Sequence, residues 1–183
     1  MLYTRKGDSG ITKTFGCDQK ISKSSAIAEA LGAMDETNSY LGLCKVKAKE
    51  VGFSVRETTF EKIIHDIQKN LFIIQAELAG AMESLSEKKV KALEGIVDEI
   101  EAQIPQVQSF FISGGCEISA MFDFARTLVR RAERRVVAVH EEGKIGVGKF
   151  TLGYLNRLSS ILYAFARLSN YLSGINEESP DYK

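Results

Sequence analysis

A short segment of the chain carries five arginines and one glutamate where a helix core would otherwise be expected. It reads Arg126-Thr127-Leu128-Val129-Arg130-Arg131-Ala132-Glu133-Arg134-Arg135. The apolar residues in and around it repeat with the period of an α-helix, and Arg126, Arg130, Glu133 and Arg134 share a second face. Arginines on a buried helix need anionic partners, because an unpaired buried charge costs several kcal/mol. A triphosphate would supply them, since the guanidinium fork binds phosphate oxygens bidentately; the alternative is a solvated basic edge.

The N-terminal segment shows a second pattern suited to phosphate. Two glycines bracket an acid in Gly7-Asp8-Ser9-Gly10, and the flanking residues include Thr4, Arg5, Lys6, Thr12 and Lys13. Glycines let backbone N–H groups approach phosphate oxygens, while hydroxyls and cations complete a cradle. The segment is not a Walker A loop, because that signature does not occur in the sequence. The alternative is a disordered polar N-terminus.

Two further residues are candidates by type and position. Asp35 lies among apolar positions of a predicted helix, so it is either a satisfied polar group of the core or one half of a functional ion pair. Phe110 precedes the Gly114-Gly115 turn, where an aromatic residue most often anchors a loop to the core. Since His65 and His140 match no metal-ligand spacing, we predict no metal ion held by the protein itself.

Composition limits the class of protein. At 183 residues the chain is long enough for one domain with a substantial core. Its 24 basic and 24 acidic side chains cancel, which argues against nucleic-acid binding. No apolar run is long enough for a membrane span, and no secretory signal is evident. The three cysteines, Cys17, Cys44 and Cys116, have no zinc or disulfide spacing and indicate reduced thiols in a cytosol.

Helical periodicity and two prolines in total predict an all-α protein. The predicted helices run from about Ser25 to Lys49, Thr59 to Met82, Ser86 to Ile104, Glu117 to Glu141 and Phe150 to Leu172. Short connections between them predict a five-helix antiparallel bundle. We expect one domain over residues 1–183, with a loop at 1–23, the bundle at 24–173 and a frayed tail at 174–183.

Five motifs in order make the chain similar to a known family. They are Tyr3–Gly10, Gly32–Ser39, Phe110–Glu117, Ala125–Arg134 and Tyr154–Ser159. The chain resembles the PduO-type ATP:cob(I)alamin adenosyltransferases, and the motifs cover nearly its whole length. It departs from the family pattern at Lys6, Ser9 and Ser113, where threonine, lysine and proline are more usual.

The resemblance implies a ferritin-like, cobalamin adenosyltransferase-like bundle, assembled as a homotrimer with active sites between subunits. It implies a transferase that moves the 5′-deoxyadenosyl group of ATP to cob(I)alamin, after reduction of cob(II)alamin, and releases triphosphate. ATP with Mg2+ and a corrinoid are the implied ligands, and a reductase and an adenosylcobalamin-dependent enzyme are the implied partners. A cytoplasmic location is expected. The alternatives are a non-catalytic corrinoid or ATP-binding chaperone or sensor on the same bundle, and a structural bundle without a ligand.

The resemblance also implies roles for individual residues. The implied nucleotide-binding residues are Thr4, Arg5, Lys6, Gly7, Asp8, Gly10, Thr12, Lys13, Lys23, Arg130, Arg131, Glu133, Arg134 and Asn156. The implied catalytic and corrinoid-binding residues are Phe110, Asp35 and Arg126. By this resemblance, Phe110 packs under the corrin ring and displaces the lower axial ligand, and Asp35 pairs with Arg126.

Overall fold

The computed structural model describes residues 3, 5–14 and 20–182, and most of these residues are helical. The helices are α1 (Ala26–Val51), α2 (Phe60–Leu78), α3 (Glu87–Glu101), α4 (Glu117–Glu142) and α5 (Thr151–Leu172). Each corresponds to a helix expected from periodicity, so the all-α, five-helix prediction is confirmed. The largest differences are at the C-terminal ends of α2 and α3, which stop a few residues earlier than predicted.

Capping residues account for the clearest helix ends. At the start of α1, the Ala28 N–H donates to Ser25 Oγ at 3.3 Å, which satisfies one of the free N–H groups of the first turn. The helix ends at Gly52, whose φ of 68° is accessible to glycine without steric cost. Thr59 caps α2 in the same way as Ser25 caps α1, by accepting from the Lys62 N–H at 3.3 Å.

Two ion pairs show the direction of α1 relative to α4. Lys47 pairs with Glu117 at 2.7 Å, and Arg135 lies 3.8 Å from Glu29. The C-terminal part of α1 therefore lies beside the start of α4, and the two helices are antiparallel. α4 also packs against α5, α1 packs against α2, and α3 packs against α5.

Aromatic rings from three helices form the centre of the core. Phe60 of α2 stacks on Phe165 of α5 with ring centroids 4.3 Å apart, and its ring meets Phe122 of α4 edge-on at 5.8 Å. All three side chains are fully buried, and each contributes about 1.5–3 kcal/mol through removal from water. In the described ranges, no helix is long and apolar enough to cross a membrane.

Two short hairpins correct the prediction for the loops. β1 (Ile11–Lys13) pairs antiparallel with β2 (Lys20–Ser22) inside the segment predicted to be loop throughout. β3 (Ser54–Val55) and β4 (Thr58–Thr59) form a second hairpin between α1 and α2. Strands of two or three residues give too few side chains for an alternating pattern to be recognised, so periodicity could not predict them.

The C-terminal tail, residues 174–182 in the described part, is not frayed, which corrects the prediction. The Ile112 N–H donates to the carbonyl of Glu178 at 2.8 Å, and the hydroxyls of Ser109 and Ser179 are 2.7 Å apart. These contacts hold the tail against the segment that precedes α4.

Candidate functional site

The N-terminal hairpin encloses a cavity of about 710 Å³ rich in lysine. The cavity is lined by Lys6, Gly7, Ser9, Ile11, Thr12, Lys13, Lys20 and Lys23. Five of these are predicted nucleotide-binding residues; Lys20 was not predicted. Thr4 lies outside the described residues. The cavity gathers four ammonium groups, which suits a polyanion rather than a neutral or cationic ligand.

The local backbone explains why these lysines converge. Gly10 N–H donates to the Gly7 carbonyl at 3.2 Å, and Lys23 N–H donates to the Gly10 carbonyl at 3.0 Å, so the chain reverses and returns beside itself. Lys13 and Lys20 are direct cross-strand partners in the hairpin. Like charges opposite one another destabilise a strand pair, and a bound anion between them would offset this repulsion.

Gly7 leaves room for one of the lysines. The Nζ atom of Lys23 lies 3.0 Å from the position that a Cβ at residue 7 would occupy. Arg5 and Asp8 are exposed beside the cavity, and the guanidinium of Arg5 lies 5.3 Å from the centroid of the Tyr3 ring. Any side chain larger than that of glycine at residue 7 would force the Lys23 ammonium to move.

A second cavity, of about 840 Å³, brings together Phe110, Arg126 and Arg130. We call it the Phe110 cleft; its walls are the end of α3, the segment 104–113, α4, α5 and the C-terminal tail. The Phe110 side chain is 79% exposed, so it does not anchor its loop to the core of the chain. An exposed ring beside two guanidiniums suits a ligand that has an apolar face and polar or anionic substituents.

The arginines of α4 separate into two sets. Arg131 pairs with Glu36, and Arg135 lies beside Glu29, both on α1. Within the described ranges, Arg126, Arg130 and Arg134 form no ion pair with a carboxylate. The Nε atom of Arg126 is buried and has no hydrogen-bond partner there. The second set therefore retains guanidinium groups that can bind an anion, as the sequence pattern predicts.

Glu133 and Asn156 meet between α4 and α5. Asn156 donates from Nδ2 to Glu133 Oε1 at 3.1 Å and accepts from Arg157 Nη1 at 2.6 Å. Arg157 also donates from Nε to Glu94 of α3 at 2.8 Å. These hydrogen bonds orient the Asn156 amide at the surface. Its partners Glu133 and Arg157 can move there when a ligand binds.

The chain does not bring Asp35 and Arg126 together. Asp35 is exposed on α1, and no ion pair joins it to Arg126. The lysine cavity and the Phe110 cleft also share no lining residue. The predicted Asp35–Arg126 ion pair is therefore not formed within the described chain, and the lysine cavity and the Phe110 cleft are separate cavities.

A buried charge cluster beside the Phe110 cleft was missed by sequence reasoning. Arg167 of α5 has a side chain only 2% exposed and pairs with Asp123 at 3.0 Å and with Glu177 of the tail at 2.6 Å. The sequence does contain a signal for this cluster. Asp123 and Arg167 are charged residues inside the apolar runs Phe122–Phe124 and Ala166–Leu168, and a charge in such a run needs a partner. Nearby, burial raises the pKa of Tyr163, so its phenol stays protonated and can donate a hydrogen bond at the wall of the cleft.

Asn170 explains the paired glycines before α4. Its Oδ1 accepts from the Cys116 N–H at 3.0 Å and its Nδ2 donates to the Gly114 carbonyl at 2.9 Å. A Cβ on Gly115 would lie 2.3 Å from Asn170 Oδ1, and the φ of Gly115 is +102°. Glycine is required there for both reasons.

The cysteines and the metal-binding residue types add no further candidate site in the described ranges. Burial raises the pKa of the Cys44 thiol to about 12, which leaves it protonated and inert. Cys116 is a free, partly buried cysteine, and Cys17 lies outside the described residues. A cluster of three or more histidine, cysteine, aspartate or glutamate side chains able to hold a metal ion does not occur in the part of the chain that the structure describes.

Known proteins share both the sequence pattern and the fold of this chain. Residues 2–169 match the family model described as cobalamin adenosyltransferase. Corrinoid adenosyltransferase PduO of Salmonella typhimurium is 38% identical over 91% of this chain and 48% of its own length. Corrinoid adenosyltransferase of Bacillus subtilis is 37% identical over 96% of this chain and 90% of its own length. The chain thus spans about half the length of the PduO relative and nearly all of the other.

Solved structures show the same fold. A variant PduO-type ATP:corrinoid adenosyltransferase from Lactobacillus reuteri, complexed with cobalamin and ATP, superposes with a TM-score of 0.87 and is 28% identical. The match covers 98% of this chain and 99% of that one. A second variant of that enzyme, complexed with ATP, gives a TM-score of 0.85 at 27% identity, over 98% of this chain and all of the other.

Proposed function

The chain belongs to the cobalamin adenosyltransferase family, and we propose that it transfers the 5′-deoxyadenosyl group of ATP to cob(I)alamin. The observation that carries this proposal is the Phe110 cleft, where an exposed aromatic ring lies beside Arg126 and Arg130. Such a cleft suits a corrinoid, which has a large apolar ring surface with amide substituents. The reaction also needs a site for the triphosphate of ATP, and the lysine cavity is suited to that role.

In the proposed reaction the cobalt of cob(I)alamin is the nucleophile. Its electron pair forms the bond to C5′ of ATP while the bond from C5′ to the triphosphate oxygen breaks, and the intact triphosphate leaves. The protein contributes orientation and charge rather than a covalent intermediate. Holding the two substrates in line removes an entropic barrier that can reach ~7–11 kcal/mol.

The proposed roles of the residues follow from the two substrates that the protein must hold. Arg130, Arg131, Glu133, Arg134, Asn156 and the predicted residues of the N-terminal hairpin hold ATP, with Mg2+ on the triphosphate. The guanidiniums stabilise the charge that grows on the leaving group. Phe110 covers the lower face of the corrin, and Asp35 and Arg126 handle the corrinoid. Arg131 must release or share Glu36 to take part, because the two form an ion pair in the free chain.

We further propose a homotrimer whose active sites lie between subunits. Support comes from the separation of the two cavities in one chain and from the lack of an ion pair between Asp35 and Arg126 in the described ranges. Large apolar side chains on the outside of the bundle would also be buried by such an interface. Leu43, Val46, Phe72 and Phe124 are each more than half exposed. Assembly would place the hairpin of one subunit against α4 of the next.

The proposed setting is the cytoplasm, with a reductase that supplies cob(I)alamin and an adenosylcobalamin-dependent enzyme that accepts the product. A non-catalytic corrinoid chaperone is less well supported, because it would not need the lysine cavity as well as the free arginines. Product analysis tests the proposal. Phosphorus NMR should show intact triphosphate formed in equal amount with adenosylcobalamin; phosphate and pyrophosphate without adenosylcobalamin would refute it.

A further inference from the structure

One buried guanidinium connects three separate parts of the chain. Arg167 lies on α5, and its Nη2 donates to Asp123 Oδ2 on α4 at 3.0 Å. Its Nη1 is 2.6 Å from Glu177 Oε1 on the tail. The N–H bonds of Nη1 are not aimed at that oxygen, so Glu177 is held there by charge attraction rather than by an aligned hydrogen bond.

Both carboxylates of this cluster also reach the segment that carries Phe110, residues 107–116, which we call the Phe110 loop. Asp123 Oδ2 accepts from the Gly114 N–H at 3.1 Å. Glu177 Oε1 accepts from Asn170 Nδ2 at 2.7 Å, and the same amide group donates to the Gly114 carbonyl. The position of Glu177 is therefore coupled to that of Gly114 through one side-chain amide.

The tail then runs along the Phe110 loop on both sides of Phe110. The Glu178 carbonyl accepts from the Ile112 N–H, and the Ser179 hydroxyl bonds to that of Ser109. Phe110 itself is exposed and makes no ring contact with another aromatic residue of the described chain. Around Phe110 the loop therefore bonds to the tail, whereas its C-terminal end bonds to Asp123 and Asn170; the exposed Phe110 side chain does not hold it.

We infer that Glu177 is a positioning residue: by pairing with Arg167 it docks the C-terminal tail, and the docked tail holds the Phe110 loop in place at the cleft. The inference rests on the proposed function for what the loop does there. The docking itself is independent of that function. Removal of Glu177 leaves Arg167 paired with Asp123 inside the bundle, so the helices keep their charge balance while the tail loses its buried anchor.

The test uses the full chain and three variants. Glu177→Ala removes the anchor, Glu177→Gln keeps its shape without its charge, and Glu178→Ala is the matched control. Glu178 is the neighbouring acid; its described contact is made by the backbone carbonyl, which the substitution keeps. Thermal unfolding establishes that each variant retains the bundle.

Hydrogen exchange without substrates measures the docking. In Glu177→Ala the amides of Ile112 and Gly114 should exchange at least about tenfold faster, whereas those of α1 and α2 should not change. Glu177→Gln should fall between wild type and Glu177→Ala, because its amide oxygen can still accept from Asn170 Nδ2 whereas the charge attraction to Arg167 is lost. Unchanged exchange in Glu177→Ala, or an equal rise in Glu178→Ala, would overturn the inference.

Steady-state kinetics then test positioning. Glu177→Ala should raise KM for cob(I)alamin about tenfold and leave KM for ATP within about twofold, because the loop lines only the Phe110 cleft. Faster exchange with unchanged corrinoid KM would refute the positioning role and leave a purely structural tether. If the wild type had no adenosyltransferase activity, the proposed function would fail, and the exchange result would still decide whether Glu177 docks the tail.

Discussion

Phe110 and Arg126 line the same cleft, although one lies on an irregular loop and the other on α4. The ring of Phe110 is exposed, and the buried Nε of Arg126 has no partner in the described ranges. A buried donor without an acceptor costs about 1–3 kcal/mol. A ligand or a neighbouring subunit that supplies an oxygen there would remove the cost.

Replacement of Phe110 should affect the corrinoid and not ATP. An apolar ring under the corrin would exclude water and the benzimidazole base from cobalt, and axial ligation controls the reduction potential of a metal. Phe110→Ala should leave ATP affinity within a few fold and sharply lower turnover that starts from cob(II)alamin, with a smaller loss from pre-reduced cob(I)alamin. Ile112→Ala, on the same loop but outside the cleft lining, is the control. Equal losses with both forms of cobalamin would contradict the role.

Lys20 should contribute to nucleotide binding, although no motif in the sequence singles it out. It lines the hairpin cavity opposite Lys13, where an anion between them would be stabilised. Lys20→Ala should weaken MgATP binding about fivefold, or ~1 kcal/mol, and the loss should shrink at high salt. Calorimetric titration measures it, and the exposed Lys88 provides the control substitution Lys88→Ala. An unchanged affinity for MgATP in Lys20→Ala would remove the hairpin cavity from the nucleotide site.

Asp35 and Arg126 should interact between subunits. Within one chain they form no ion pair, so coupling between them requires assembly. The double-mutant cycle of Asp35→Ala and Arg126→Ala, measured on kcat/KM for cob(I)alamin, should show a coupling of about 0.5–3 kcal/mol. Light scattering should report a trimer at micromolar concentration. Additive losses, or a fully active monomer, would contradict a composite site.

Gly115 should tolerate no side chain. Alanine there would place Cβ within 2.3 Å of Asn170 Oδ1 at a positive φ, so the Phe110 loop would lose its attachment to α5. Gly115→Ala should cost at least about 1–3 kcal/mol of unfolding free energy from backbone strain alone. Gly95, in helix α3 with open space around it, is the control, and Gly95→Ala should stabilise the protein by about 0.4–1 kcal/mol. Thermal melting curves that rank the two variants the other way would contradict this account.

The sequence predicted the helices well because each of them has an apolar face with helical spacing. Ser25 and Gly52 mark the ends of α1 and could be recognised from residue type alone. The short hairpins were missed because backbone pairing, not an apolar pattern, holds them together. The family was recognised from ordered motifs, and the comparisons confirm that recognition.

The site was predicted in parts but not in its arrangement. The pattern at Arg126, Arg130 and Arg134 indicated an anion-binding face, but nothing in it shows that Arg131 pairs with Glu36. The Arg167–Glu177 pair joins a helix to a tail predicted to be frayed, and such a contact depends on tertiary placement. Periodicity assigns residues to faces, whereas contacts between distant segments follow from packing.

The central claim is tested most directly by mixing the full protein with chemically reduced cob(I)alamin and MgATP under anaerobic conditions and following the absorbance of cob(I)alamin. We expect this absorbance to disappear as adenosylcobalamin forms, to persist when ATP is omitted, and to fall much more slowly with Arg130→Ala. Persistence of cob(I)alamin in the presence of both the wild-type protein and MgATP would contradict the proposal that this protein is an adenosyltransferase.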